Sequence, residues 1–122
     1  MAKTILIVDD SASLRQVVNI SLKGAGYDVI EACDGVDALS KLDGRKIHLI
    51  ISDVNMPNMD GITFVQEAKK LSAYKFTPMM MLTTEAAEDK KQAGRAAGAK
   101  AWLTKPFQAP TLLDAVSKLV LP

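Results

Sequence analysis

Leu49-Ile50-Ile51-Ser52-Asp53-Val54-Asn55-Met56-Pro57-Asn58-Met59-Asp60-Gly61 is the stretch on which the fold turns. Leu49 to Ser52 runs without polar alternation and stops at an aspartate. Uninterrupted apolarity over so short a run marks a strand covered on both faces, as in a parallel sheet. Working outward, the same pattern recurs. Thr4 to Val8 ends at Asp9-Asp10, Val29-Ile30 is a shorter run, Met79 to Leu82 ends at Thr83, and Ala101 to Leu103 leads into Thr104-Lys105-Pro106.

Helical stripes separate these runs. Leu14, Val17, Val18 and Leu22 follow helical spacing, and Gly24 and Gly26 supply the stop. Val36, Leu39 and Leu42 form a second stripe after Asp34, a plausible N-cap. Ile62, Val65, Ala68 and Leu71 form a third, and Leu112, Leu113, Val116, Leu119 and Val120 the last. The segment 85–97 is alanine-rich without a large aliphatic residue, and its acids (Glu85, Glu88, Asp89) precede its bases (Lys90, Lys91, Arg95), as a helix dipole favours. Burying so little apolar area, it is the expected moving part. Five β/α units in this length imply a doubly wound α/β sandwich whose crevice lies at the carboxyl ends of the strands.

Composition sets the outer limits. The chain has 122 residues, one cysteine (Cys33), and 15 basic against 14 acidic side chains for a net charge of +1. This is the length of one domain, with no bulk electrostatic reason to bind nucleic acid or an anionic membrane. A lone cysteine excludes an internal disulfide and suits a reducing compartment. No apolar run approaches a membrane span, and the N-terminus does not read as a signal peptide. A cytoplasmic domain is expected.

The topology would gather Asp9, Asp10, Asp53, Thr83 and Lys105 at one sheet edge. Carboxylates so gathered repel one another unless a cation compensates. Two or three carboxylate oxygens, a backbone carbonyl and waters form the usual Mg²⁺ site. Mg²⁺ and the Lys105 ammonium would flank a space beside Asp53 suited to a phosphoryl group, whose transfer needs positioning and charge neutralisation. A carboxylate can act as the nucleophile, and the Thr83 hydroxyl can donate to a phosphoryl oxygen.

With the Asp9-Asp10 pair, the stretch Asp53 to Gly61, Thr83 and Lys105-Pro106-Phe107 in this order, the chain resembles a response-regulator receiver domain of the stand-alone CheY-like type. The resemblance covers essentially all of residues 1–122. It implies strand order 2-1-3-4-5 and a single receiver domain without an output domain. It also implies Asp53 as phosphoacceptor, with Asp10, Asp53 and the Asn55 backbone carbonyl on Mg²⁺ and Asp9 assisting through water. By the same resemblance Lys105 holds the phosphoryl group and precedes a cis proline, and Thr83 turns toward the phosphate. Asn55 and Glu85 occupy positions that tune phosphate lifetime. Trp102 stands where the family usually has a tyrosine or phenylalanine that swings inward; its indole is bulkier and only donates, so a mobile switch and a static side chain both stay open.

The function implied is phosphorylation-dependent protein binding, in chemotaxis through the flagellar motor switch. A cognate histidine kinase of the CheA-like type is the donor, a phosphatase a further partner, and a monomer the expected state. Such a chain is not an enzyme beyond its own phosphorylation and slow dephosphorylation. A phosphorelay intermediate passing phosphate to a histidine phosphotransfer protein is the alternative within the family. An aspartyl-phosphate hydrolase would carry Asp-x-Asp after the first strand, where this chain has Asp9-Asp10-Ser11. A flavodoxin-like cofactor binder would need a phosphate loop there, for which Ser11-Ala12-Ser13 is a poor substitute. Met79 to Met81 read as core filling, His48 as structural, Cys33 as semi-buried, and Lys69-Lys70 and Lys90-Lys91 as solvated helix faces.

Overall fold

A computed structural model describes residues 2–83 and 88–120, the side chains of 88–91 excepted. Five strands alternate with five helices: β1 Thr4–Val8, α1 Ala12–Gly24, β2 Asp28–Ala32, α2 Gly35–Lys41, β3 Leu49–Asp53, α3 Gly61–Lys70, β4 Met79–Thr83, α4 Glu88–Ala97, β5 Ala101–Thr104 and α5 Ala109–Leu119. All strand pairs are parallel and the order is β2-β1-β3-β4-β5. The chain steps from β1 out to β2, then returns past β1 to build β3, β4 and β5. A doubly wound sheet opens its crevice where the direction of winding reverses, here above β1 and β3.

The unalternated strands are explained by two cores. Alternate side chains of one strand point to opposite faces. Leu6, Val8, Ile50, Met79 and Met81 pack with Phe64, Val65 and Ala68 of α3 and Ala38 of α2. Ile5, Ile7, Leu49, Ile51, Met80 and Leu82 pack with Val18 and Leu22 of α1 and Leu112 and Val116 of α5. The three methionines are divided between these cores, as expected of strand filling.

The helical stripes need correcting at their margins. In α1 the inner line is Leu14, Val18 and Leu22, whereas Val17 is 57% exposed and Ile20 65%. A short helix over a twisted sheet buries a narrower band than the full apolar stripe. Val36, in the first turn of α2, is 53% exposed, and Leu71, at the C-cap of α3, is also exposed. Cys33 is exposed rather than semi-buried, because it lies between the end of β2 and the Asp34 cap. Lys69 is not a solvated side chain: its Nζ donates to the carbonyls of Thr77 (2.6 Å) and Lys75 (3.2 Å), closing the α3–β4 connection. Among the described residues no helix is long and apolar enough to cross a membrane.

His48 holds the start of the sheet. Its N–H donates to the Thr4 carbonyl (2.8 Å), and its Nδ1 accepts from the Thr4 N–H (2.9 Å). Burial, with Lys3 and Lys46 nearby, keeps the imidazole below its ordinary pKa. A base with a depressed folded pKa contributes stability that is complete above its unfolded value of about 6.5 and lost as pH falls from there through the folded value. His48→Phe leaves the Thr4 N–H without its acceptor, at a cost of about 1–3 kcal/mol. The variant is expected to be less stable than wild type at pH 8, with the gap narrowing toward pH 5.5 in urea melts. A gap independent of pH would refute this role.

Candidate functional site

Strand register aligns the site. Val8 pairs with Ser52, so Asp9, the residue after β1, lies beside Asp53, the last residue of β3. Asp53 pairs with Leu82, which puts Thr83 at the next position of β4, and Thr83 pairs with Thr104, which puts Lys105 beside it. The Lys105 N–H donates to the Thr83 carbonyl (2.7 Å), and the Lys105-Pro106 bond is cis, as expected.

The site is a buried carboxylate pair bridged by one lysine. Lys105 Nζ lies 3.1 Å from Asp9 Oδ2 and 3.3 Å from Asp53 Oδ2. Asp9 is 1% and Asp53 7% exposed, while Asp10 is open to solvent. Each buried carboxylate has its other oxygen engaged: Asp53 Oδ1 accepts from the Val54 N–H (2.9 Å) and Asp9 Oδ1 from the Ser11 N–H (2.8 Å). Burial first, and the Asp9 charge second, push the Asp53 carboxyl above the ordinary range; Lys105 and the Val54 N–H pull the other way without cancelling them. Asp53 therefore sits in a pocket short of positive charge. Carboxylate oxygens of Asp9, Asp10 and Asp53 lie within 4.8 Å of one another, and an all-oxygen anionic donor set fits a hard divalent cation such as Mg²⁺.

Around this centre, Ser11, Asp34 and Asp60 cap α1, α2 and α3, with side chains accepting from Leu14, Asp37 and Thr63. Asn55 is exposed on the loop leaving β3, and Thr83 is fully buried. Glu85 lies outside the described residues. Trp102 is half-buried against the α3 core, and its indole N–H is buried without a partner among the described residues. The ring fills the space beside Gly94 of α4, where an added Cβ would collide with it.

Two features escaped the sequence reading. Arg15 of α1 reaches back to donate to the Asp9 carbonyl (2.5 Å) and to Glu31 (3.2 Å), bracing the strand end that carries the pair. An arginine one helical turn past a helix N-cap was the available signal. Leu14, Val17, Lys105, Pro106 and Phe107 line an apolar groove of about 380 Å³. Both walls come from elements far apart in the chain, so periodicity within one helix could not show it.

The "Response regulator receiver domain" family model matches residues 5–117. The chain is 36% identical over 119 residues to chemotaxis protein CheY1 of Helicobacter pylori, covering 96% of this chain and 95% of that one. It is 38% identical over 112 residues to protein PilG of Pseudomonas aeruginosa, covering 92% and 83%. The solved structure of Vibrio cholerae chemotaxis protein CheY4 superposes with a TM-score of 0.95 at 48% identity, over 98% of this chain and all of that one.

Proposed function

The chain belongs to the response regulator receiver domain family, and from that premise we propose that it is a receiver switch that accepts a phosphoryl group on Asp53. The observation that carries this reading is the buried Asp53 carboxylate, its pKa raised, facing the one lysine that also contacts Asp9. An oxygen of Asp53 attacks phosphorus as the bond to the donor breaks, leaving an acyl phosphate on Asp53 and the donor's imidazole or acetate as leaving group. In this reading Lys105 neutralises charge on the transferred group, and Thr83 donates its hydroxyl to it. Asp9, Asp10, Asp53 and the Asn55 carbonyl would hold Mg²⁺, which when bound supplies charge neutralisation for incoming phosphoryl oxygens.

Signalling would follow from a population shift. Thr83 is the last residue of β4, the strand paired with β5, so in this reading a hydroxyl drawn toward phosphate alters packing along β5, which carries Trp102, and α4, β5 and α5 present the altered surface to a partner. Similarity to the chemotaxis proteins CheY1 and CheY4 favours a chemotaxis role, for which we take a histidine kinase as donor and a motor-switch protein as target. The groove lined by Leu14, Val17, Lys105, Pro106 and Phe107 is the surface we assign to the donor protein.

Incubation with acetyl phosphate, with and without Mg²⁺, tests the chemistry by intact mass and peptide mapping. The expected result is one Mg²⁺-dependent phosphoryl adduct on the peptide containing Asp53. An adduct elsewhere, or none in the presence of Mg²⁺, would sink the reading.

A further inference from the structure

We infer that Arg15 positions Asp10 for the divalent cation, by clamping the peptide group that joins Asp9 to Asp10. The inference rests on the proposed metal role of Asp9, Asp10 and Asp53, and it concerns the one of the three whose carboxylate no other group holds. Asp9 and Asp53 are each tied to Lys105 and to a backbone N–H. The exposed Asp10 is different: its side chain and its N–H have no hydrogen-bond or ion-pair partner among the described residues. Where its carboxylate stands is therefore decided by the peptide groups on either side of it.

Both of those groups are pinned. The one after Asp10 is held through the Ser11 N–H, which donates to Asp9 Oδ1 (2.8 Å). The one before it is held by a single bond, from Arg15 Nη1 to the Asp9 carbonyl (2.5 Å). The Asp9 N–H donates to the Ala32 carbonyl (3.1 Å), so strand pairing fixes the chain up to Asp9 and no further. Beyond that point ψ of Asp9 and φ of Asp10 set where Asp10 lies relative to Asp9. Only the Arg15 bond fixes the plane those two torsions share.

Arg15 is fixed in turn at its other edge. Its Nε donates to Glu31 Oε1 (3.2 Å) near the end of β2, and Asn19, one turn further along α1, donates to Glu31 Oε2 (2.6 Å). One guanidinium thus serves acceptors on two strands at once, a task for a rigid planar fork and not for a lysine ammonium on a flexible stem. Glu31 also offsets the charge that Arg15 brings beside a site for a cation. Like charges repel, so if Arg15 were a bystander, Mg²⁺ would bind more tightly without it. A positioning role demands the opposite sign.

Mg²⁺ alone is titrated into the unphosphorylated full chain, with Kd read from backbone amide shifts, and thermal melts are run on the same samples. Arg15→Met keeps an apolar stem and deletes the guanidinium. It is expected to weaken Mg²⁺ about tenfold, the lower end of what losing a partner behind a ligand costs, and to move the Asp10 amide resonance before any metal is added. Arg15→Lys keeps the charge and one donor group, and its Kd is expected to fall between the two. Glu31→Gln is expected to weaken Mg²⁺ by less than Arg15→Met, and to add nothing in an Arg15→Met background, because it acts through Arg15. An Arg15→Met Kd within about twofold of wild type, or below it, would overturn the inference even if the melting temperature falls, as a merely structural brace would have it. A Glu31→Gln loss that persists in full without Arg15 would overturn it too. A wild-type chain without saturable shifts at Asp9, Asp10 and Asp53 would instead bring down the metal reading and this inference together.

Discussion

Asp53→Asn is expected to abolish the phosphoryl adduct outright and, at neutral pH, to raise the melting temperature of the domain. The first effect follows from the proposed chemistry, since an amide oxygen is a poor nucleophile and cannot form the acyl phosphate. The second follows from the site's electrostatics. An acid whose folded pKa is raised above its unfolded value favours the fold most when protonated, below an unfolded pKa of about 3.9. That contribution is lost as pH rises through the raised folded value, so at pH 7 the charged Asp53 works against the fold. Asparagine keeps an oxygen for the Val54 N–H and removes the charge that burial and Asp9 oppose. In a domain of this size each kcal/mol corresponds to about 3–6 °C, so calorimetry should resolve a gain on the order of 1 kcal/mol. The gain should shrink as pH falls toward 4, and at pH 7 it should shrink with added Mg²⁺, which stabilises only the chain that binds it. A variant that is less stable than wild type at pH 7 would show that Lys105 already balances the pair.

The gathering of these polar side chains could be read in part from residues alone. Three apolar runs ending in Asp9-Asp10, Asp53 and Thr83 placed those side chains at one edge, because a parallel sheet ends its strands in step. What remained hidden depends on contacts between distant parts of the chain. Val17 and Val36 belong to correct helical stripes, yet only the width of the sheet beneath decides which members are covered. Lys69 looked like half of a solvated pair until the turn at 75–77 brought two carbonyls to it. Asp34 was expected as a cap, which it is, but its second oxygen serves a residue 24 positions away. Gly94 could not be read as a packing position, because its partner, Trp102, arrives from the neighbouring strand.

Gly94→Ala is expected to destabilise the domain, against the ordinary preference of a helix interior. Alanine is favoured over glycine there by about 1 kcal/mol. At this position the new methyl would meet the six-membered ring of Trp102, with Cζ3 nearest and two further ring carbons at 3.3 Å. Overpacking of this kind costs about 1–3 kcal/mol, enough to outweigh the helical gain. Trp102 already packs against the α3 core, so relief of the clash has to displace the indole. Trp102 is the only tryptophan, so its emission should shift to the red and its quenching by iodide should rise. The decisive comparison is made in a Trp102→Leu background, where the clash is gone. There the same Gly94→Ala substitution should become stabilising, by up to the full propensity difference of about 1 kcal/mol. A reversal of sign would establish that α4 keeps a glycine to seat the aromatic ring. It would also mean that any outward or inward motion of Trp102 has to move α4 with it, which couples the β5 side chain to the surface proposed to meet the partner. Destabilisation of equal size in both backgrounds would trace the effect to the backbone of α4, and would leave the ring free to turn without the helix.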